Sequence, residues 1–227
     1  MADTTPGADR VRAVLFDLDG TLIDTLDLIL ASMRYTTEKV LGAALPDDVL
    51  MRNVGVPLIV QMRELDAEKA EDMLLVYREH NARVHDSLIK EYPGVHEALS
   101  QILASGRKLG VVTSKGRHVA EKGLALFGLQ DFLSVLVTFD DVPKHKPDPY
   151  PLEYAAGQMG VSAGDCAYVG DSPFDIIAAN AAGCLSIAAL WGVASQERLR
   201  EAGPALTAES MAQVAAMFSD PLGAPCL

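Results

Sequence analysis

The stretch Val11-Arg12-Ala13-Val14-Leu15-Phe16-Asp17-Leu18-Asp19-Gly20-Thr21 joins a short apolar run to two carboxylates and a glycine. An apolar run of this length, bounded by a turn signal, reads as a strand buried on both faces, as in a parallel sheet covered by helices. In such sheets ligands bind just outside the carboxyl ends of the strands, where Asp17 and Asp19 fall. Alternate residues at a strand end share an orientation, so both carboxylates can be aimed at one reacting centre. One can then attack as a nucleophile while the other moves protons. Gly20 permits a tight turn whose backbone amides can hold an anion. The plainer reading of the same letters is a solvated acidic turn. A calcium loop would want a third oxygen ligand before its glycine, and here Asp19 runs straight into Gly20.

The rhythm repeats outward from this stretch. Further buried runs are Lys108–Val112, Val135–Phe139, Ala167–Val169 and Leu185–Ala189. Helical patterns over Val95–Ser105, His118–Phe127, Tyr150–Met159 and Phe174–Ala182 alternate with them, stopped by Gly106, Gly128, Gly160 and Gly183. Strands alternating with helices predict an α/β class with a Rossmann-like parallel sheet. Residues 24–92 break the rhythm: Leu26, Ile29, Leu30 and Met33, then Met73, Leu74, Val76 and Tyr77, recur at helical spacing. The expectation is an all-helical insertion over 24–92 standing at the sheet edge, with the core at 1–23 and 93–227. Extra layers on the main core are the alternative.

The 227 residues carry 31 Asp plus Glu against 19 Lys plus Arg, a net charge of −12. Such a surface repels phosphate backbones and anionic lipid, so neither nucleic acid nor membrane is expected as a partner. A small anionic substrate requires a local cationic pocket. Three cysteines (Cys166, Cys184, Cys226) are odd in number and lack ligand spacing, which predicts reduced thiols rather than a disulfide framework or a zinc site. The opening MADTTPGADR has no apolar signal-peptide core, and the richest apolar stretch, from Ala178 to Val193, is broken by Asn180, Gly183 and Gly192. A cytoplasmic protein, monomeric or homodimeric, is the expectation.

Other strand ends add functional groups. Asp171 follows Gly170, and Asp175 lies four residues on, at the start of a helix. Two such carboxylates suit a hard cation with oxygen ligands. Asp171 or Ser172 capping that helix is the equally available structural reading. Thr113-Ser114 offers hydroxyls and amides to a phosphoryl oxygen. The loop Lys144-His145-Lys146-Pro147-Asp148-Pro149, with Lys115 and Arg117, concentrates cations beside strand ends in an otherwise acidic chain. A fixed cation there neutralises clustered carboxylates and attracts an anion.

In order and spacing, FDLDGTLIDT, VVTSK, HKPDP and VGDSPFDIIAANAAG resemble the four motifs of the haloacid dehalogenase superfamily, in its phosphatase branch. The resemblance implies a core with an inserted helical cap of the family's first type, Asp17 as the nucleophile that becomes an aspartyl phosphate, and Asp19 as general acid/base. It implies that Thr113 binds the phosphoryl group and Lys146 stabilises it, Lys144 being the weaker choice. Mg2+ would be held by Asp17, Asp171 and the Asp19 carbonyl, with Asp175 supporting the metal shell. Gly20, Thr21, Ser114 and Lys115 would lie against substrate. The segments MRNVGVPL, YREHNARVHD and VTFDDVPKHKPDP resemble the phosphoglycolate phosphatase and PpaX-type pyrophosphatase group. On that likeness Arg52, Asn53 and Gly55 would face substrate from the cap, and His80, Asn81 and His85 are further candidates that an ordinary polar helix face explains better. The expected activity is Mg-dependent hydrolysis of a small anionic phosphomonoester such as 2-phosphoglycolate, with inorganic pyrophosphate as the alternative substrate. A non-catalytic receiver-like module, phosphorylated on aspartate, is the rival from another class.

Overall fold

The computed structural model describes residues 7–222; Cys226 lies outside them. β1 (Ala13–Phe16) is buried at every position. It is followed by β2 (Ile23–Asp24), α1 (Leu26–Leu41), α2 (Asp47–Met51), α3 (Leu58–Leu65), α4 (Ala70–Leu88) and β3 (Lys90–Glu91). Then come α5 (Val95–Ala104), β4 (Lys108–Val112), α6 (Arg117–Leu126), β5 (Val135–Val137), α7 (Tyr150–Gln158), β6 (Cys166–Gly170) and α8 (Pro173–Ala182). The chain closes with β7 (Leu185–Ala189), α9 (Gln196–Glu201), β8 (Leu206–Ala208) and α10 (Met211–Met217).

Six strands form one parallel sheet in the order β5-β4-β1-β6-β7-β8, a Rossmann-like α/β fold. The first strand is therefore central, flanked by two strands made much later in the chain. Period-2 alternation sends Val14 and Phe16 to one face, packed with Leu99 and Ile102 of α5, Leu124 of α6 and Val214 of α10. Ala13 and Leu15 go to the other, against Leu152 and Ala155 of α7 and Ala178 of α8. Each fully buried large apolar side chain contributes about 1.5–3 kcal/mol of transfer free energy.

The structure trims three expectations. Val11 is buried, but it closes a 3-10 turn over Ala8–Arg10 instead of starting β1. β5 stops at Val137 because Thr138 caps the next 3-10 turn, its N–H and Oγ1 both donating to Asp141 Oδ2 at 2.7 Å. β8 escapes a hydrophobicity reading because it is short, with exposed Thr207 at its centre.

Helices α1–α4 build their own apolar cluster from Ile29, Met33, Leu50, Met62, Met73 and Tyr77. They hang from the sheet by one narrow antiparallel ribbon, in which Ile23 pairs with Glu91 and Asp24 with Lys90. On the opposite side, buried Arg107 ties both ends of the described chain to the core. Its guanidinium donates to Val11 O at 3.0 Å, Ser105 Oγ at 2.8 Å, Phe218 O at 3.0 Å and Asp220 O at 2.8 Å. Among the described residues no helix is long and apolar enough to cross a membrane.

Candidate active site

The carboxyl ends of β1, β4 and β6 bring Asp17, Thr113 and Asp171 together, all buried. Asp17 Oδ1 accepts the Leu18 N–H at 2.8 Å and faces Lys146 Nζ at 3.1 Å. Its Oδ2 takes no hydrogen bond among the described residues. Lys146 is 3% exposed and also donates to Asp175 Oδ1 at 2.6 Å and to the Tyr168 hydroxyl at 2.9 Å. The Tyr168 hydroxyl in turn donates to Val112 O at 2.8 Å. Lys144, by contrast, is exposed and pairs with Asp148.

Asp171 is tightly confined. Its Oδ1 accepts from Thr21 Oγ1 at 3.2 Å and its Oδ2 from the Val193 N–H at 2.7 Å. Gly20 and Gly192 pack directly on its carboxylate, and a Cβ at either would overlap it. Gly20 also has φ +78°, so both space and backbone conformation demand glycine there. Asp175 is fully engaged, because Lys146 donates to Oδ1, with the Tyr168 hydroxyl 3.2 Å from the same oxygen, while the Ser172 N–H (3.0 Å) and Oγ (2.6 Å) donate to Oδ2. Ser172 and Asp175 thus form the capping box of α8. The capping reading of this motif holds, and through Lys146 it also reaches Asp17.

Ligand oxygens of Asp17, Asp171 and Asp175 lie within 4.8 Å of one another. Three buried carboxylates face one ammonium, and their charges conflict. Burial pushes the Asp17 carboxyl well above the usual carboxylate range; Lys146 opposes this, and Asp175, Asp171 and Asp19 add to it. Burial, then Asp175, pushes Asp171 up to about 7. Burial alone would lower Lys146, but Asp17 and Asp175 outweigh it and raise its pKa. An all-oxygen donor set with surplus negative charge fits a hard divalent cation. Asp17 and Asp171 each retain acceptor capacity for one. Asp175 has spent its oxygens on Lys146 and Ser172, so its contribution is to orient the others.

Above Asp17 opens a cavity of about 630 Å³ between the sheet and helices α1–α4. Asp19, Thr113, Ser114 and Lys115 line it, as does Gly55 from the helical side. Lys115 Nζ donates to Asp19 Oδ1 at 2.6 Å, and Ser114 Oγ donates to Gly55 O at 2.8 Å. Gly20 and Thr21 serve Asp171, not the cavity. Arg52 and Asn53 are likewise placed elsewhere: both line a separate small hollow, and Asn53 hydrogen-bonds Glu64. None of these four residues lines the cavity, because of where the loops turn. Of the helix candidates, Asn81 lines the cavity, whereas His80 stacks on Tyr35 and His85 is buried against Asp86. The sequence reading missed Arg78 and His118 on the cavity wall, and Gly192-Val193 behind Asp171. Leu74, Arg78 and Ala82 form an i, i+4 stripe on α4 that would have disclosed the first; the loop after β7 follows the strand-end rule that would have disclosed the last.

Comparison with known proteins agrees with this geometry. Residues 14–189 match the family model described as haloacid dehalogenase-like hydrolase. A protein of Caldanaerobacter subterraneus subsp. tengcongensis that carries the name PpaX is 40% identical over 205 residues, covering 90% of this chain and 93% of that one. Pyrophosphatase PpaX of Halalkalibacterium halodurans is 37% identical over 202 residues, covering 89% and 94%. A crystal structure from Haemophilus somnus 129pt, described as a predicted phosphoglycolate phosphatase, superposes with a TM-score of 0.79 at 25% identity, covering 90% of this chain and 96% of that one. The chain belongs to the haloacid dehalogenase-like hydrolases, as an enzyme of the family's phosphatase or pyrophosphatase kind.

Proposed function

We propose that this chain hydrolyses inorganic pyrophosphate, with Mg2+ as cofactor and Asp17 as the nucleophile. The carrying observation is the asymmetry of the Asp17 carboxylate: Oδ1 is held by the Leu18 N–H and Lys146, while Oδ2 carries no hydrogen bond in a residue that lines the cavity. Oδ2 forms a bond to phosphorus as the bond to the leaving oxygen breaks, and Asp19 delivers a proton to that oxygen. A water then attacks the aspartyl phosphate, Asp19 takes its proton, and Asp17 is released with inorganic phosphate. Thr113 sits at the β4 end beside the phosphoryl position, and Lys146 compensates the charge that builds on it. Asp17, Asp171 and the Asp19 carbonyl would hold the metal, with Asp175 fixing Lys146 beside them. When bound, the ion neutralises phosphoryl oxygens and the surplus charge of the carboxylates.

Lys115, paired with Asp19 at 2.6 Å, stands ready to exchange that carboxylate for the second phosphoryl group of pyrophosphate. Residues 24–92 act as a cap over a core of 1–23 and 93–227, joined through the β2–β3 ribbon. The choice of pyrophosphate over a phosphomonoester rests on the PpaX relatives, which reverses the ranking expected from sequence. A 2-phosphoglycolate-like monoester is the second reading, favoured by the Haemophilus somnus structure.

The test is kcat/KM for pyrophosphate, 2-phosphoglycolate and a generic aryl phosphate, with Mg2+ and after chelation. Pyrophosphate should lead by about tenfold, with turnover lost on chelation and restored by Mg2+. A leading phosphoglycolate would select the second reading. A chain that is phosphorylated once without turnover would instead be a receiver-like module.

A further inference from the structure

The cavity over Asp17 exceeds what the substrates just named would fill, and much of its wall is apolar. Its volume of about 630 Å³ falls within the range of about 300–1,000 Å³ typical of sites that bury drug-sized ligands. Pyrophosphate and 2-phosphoglycolate each have only about nine heavy atoms. Closure of the helical layer does not account for the excess, because that layer already touches the sheet's loops. Ser114 donates to Gly55 O, Arg198 donates to Arg52 O at 2.9 Å, and a Cβ on Gly55 would lie 2.6 Å from Ser172 Oγ. The volume persists with those contacts made.

The walls explain what the space suits. Leu74 and Ile59 line it from the helices, and Val119 and Phe139 from the sheet side. Around a compact dianion these side chains would face water, whereas burial against an apolar ligand is favourable. Arg78 lines the same cavity one helical turn beyond Leu74 and is solvent-exposed, so it stands at the mouth. Among the described residues it makes no ion pair or side-chain hydrogen bond. Lys115 and Arg117 are by contrast engaged with Asp19 and with Glu121 and Asp141. The path from nucleophile to mouth therefore runs from phosphoryl chemistry, along an apolar wall, to a guanidinium suited to a carboxylate.

We propose that the site also takes phosphomonoesters whose leaving group is a short apolar chain ending in a carboxylate. The chain lies along Leu74 and Ile59, and the carboxylate meets Arg78. This rests on the phosphoryl-transfer reading above. The ester P–O bond breaks as Asp17 Oδ2 bonds phosphorus, and Asp19 protonates the departing alkoxide. Water then releases inorganic phosphate, leaving an ω-hydroxy acid as the other product.

The experiment is a ladder of O-phosphorylated ω-hydroxy acids of two, four and six carbons, run with Mg2+ beside alkyl phosphates of the same lengths. In the wild-type enzyme kcat/KM should climb by about twofold to fourfold per added methylene, the upper figure being full burial of each CH2. Arg78→Gln should lower kcat/KM for the six-carbon acid at least fivefold and leave hexyl phosphate within twofold. Ile59→Asn, on the partly exposed wall, should flatten both ladders. A flat or falling wild-type ladder, with pyrophosphate or phosphoglycolate turned over normally, overturns this inference alone. Equal losses on the acid and the neutral ester in Arg78→Gln overturn the carboxylate contact. No turnover of any short substrate overturns the phosphoryl-transfer reading itself.

Discussion

Replacing Asp171 by Asn should separate what the site costs the fold from what it accomplishes. Asp171 is 3% exposed, and burial together with the Asp175 charge pushes its carboxyl up to about 7, from 3.8 in the unfolded chain. Between those values the native state keeps a proton that the unfolded chain has released, so metal-free stability falls as pH rises through that window. Once the group is fully ionised the cost is on the order of 4 kcal/mol. Asn can still accept the Val193 N–H, and its amide can donate to Thr21 Oγ1, so both hydrogen bonds of the carboxylate survive the change. Coupling to Asp17 and Lys146 returns part of the cost, leaving an expected gain of about 2 kcal/mol. For a chain of this size that is about 4–8 °C in Tm. The assay is thermal unfolding in chelator at pH 8 and at pH 4.5, repeated with Mg2+. The variant should exceed the wild type at pH 8 and converge with it at pH 4.5. Mg2+ should raise the wild type only, and the variant's turnover should fall at least a hundredfold. A variant less stable than the wild type at pH 8 in chelator would show that the acidic cluster is not strained and would refute the charge argument.

Asp17→Asn should abolish turnover; wild-type rates, with deamidation excluded by mass spectrometry, would end the covalent mechanism. Lys146→Ala should slow phosphoryl transfer by at least a hundredfold and cost about 3–5 kcal/mol of metal-free stability, since it strands Asp17 and Asp175. Lys144→Ala removes only an exposed pair, so single-turnover rates and urea midpoints that ranked the two lysines alike would contradict the geometry. Arg107→Met leaves buried carbonyls of both chain ends without a donor and should cost about 2–4 kcal/mol in urea unfolding, with kcat at 25 °C within twofold of wild type. A loss under about 1 kcal/mol would mean that those carbonyls find water instead.

How much was legible in the sequence follows from what each element must satisfy. β1, β4, β6 and β7 announce themselves because a strand covered on both faces is filled mostly by apolar residues. The same constraint pins Asp17, Thr113 and Asp171 to the first residues at which the runs end. Lys146 was singled out through its motif, and the structure buries it beside Asp17 while Lys144 stays exposed beside Asp148. Arg52 and Asn53 lie off the cavity because their direction depends on how the short α2 turns into α3, which no local pattern encodes. Thr21 and Gly20 were read as substrate contacts, yet they shape the seat of Asp171, a residue 150 positions from Thr21. The preference between a monoester and pyrophosphate has no signature in any motif, and the proposal of pyrophosphate leans on the PpaX relatives.

The strand order has a consequence for how the enzyme comes into being. Strand β1 is synthesised before the other strands of the sheet but lies between β4 and β6, so its edges wait unpaired while the helical insertion and much of the core are synthesised. At about 5–20 residues per second, the interval between Thr21 and Asp171, 150 residues apart, lasts on the order of ten seconds. Throughout it the carboxylates of Asp17 and Asp171 cannot repel one another, because they have not met. Helices α1–α4, whose apolar cluster draws only on residues 29–77, can condense during that wait. The charge conflict of the site is thus deferred until β6 slides in beside β1, when a cation can enter with it.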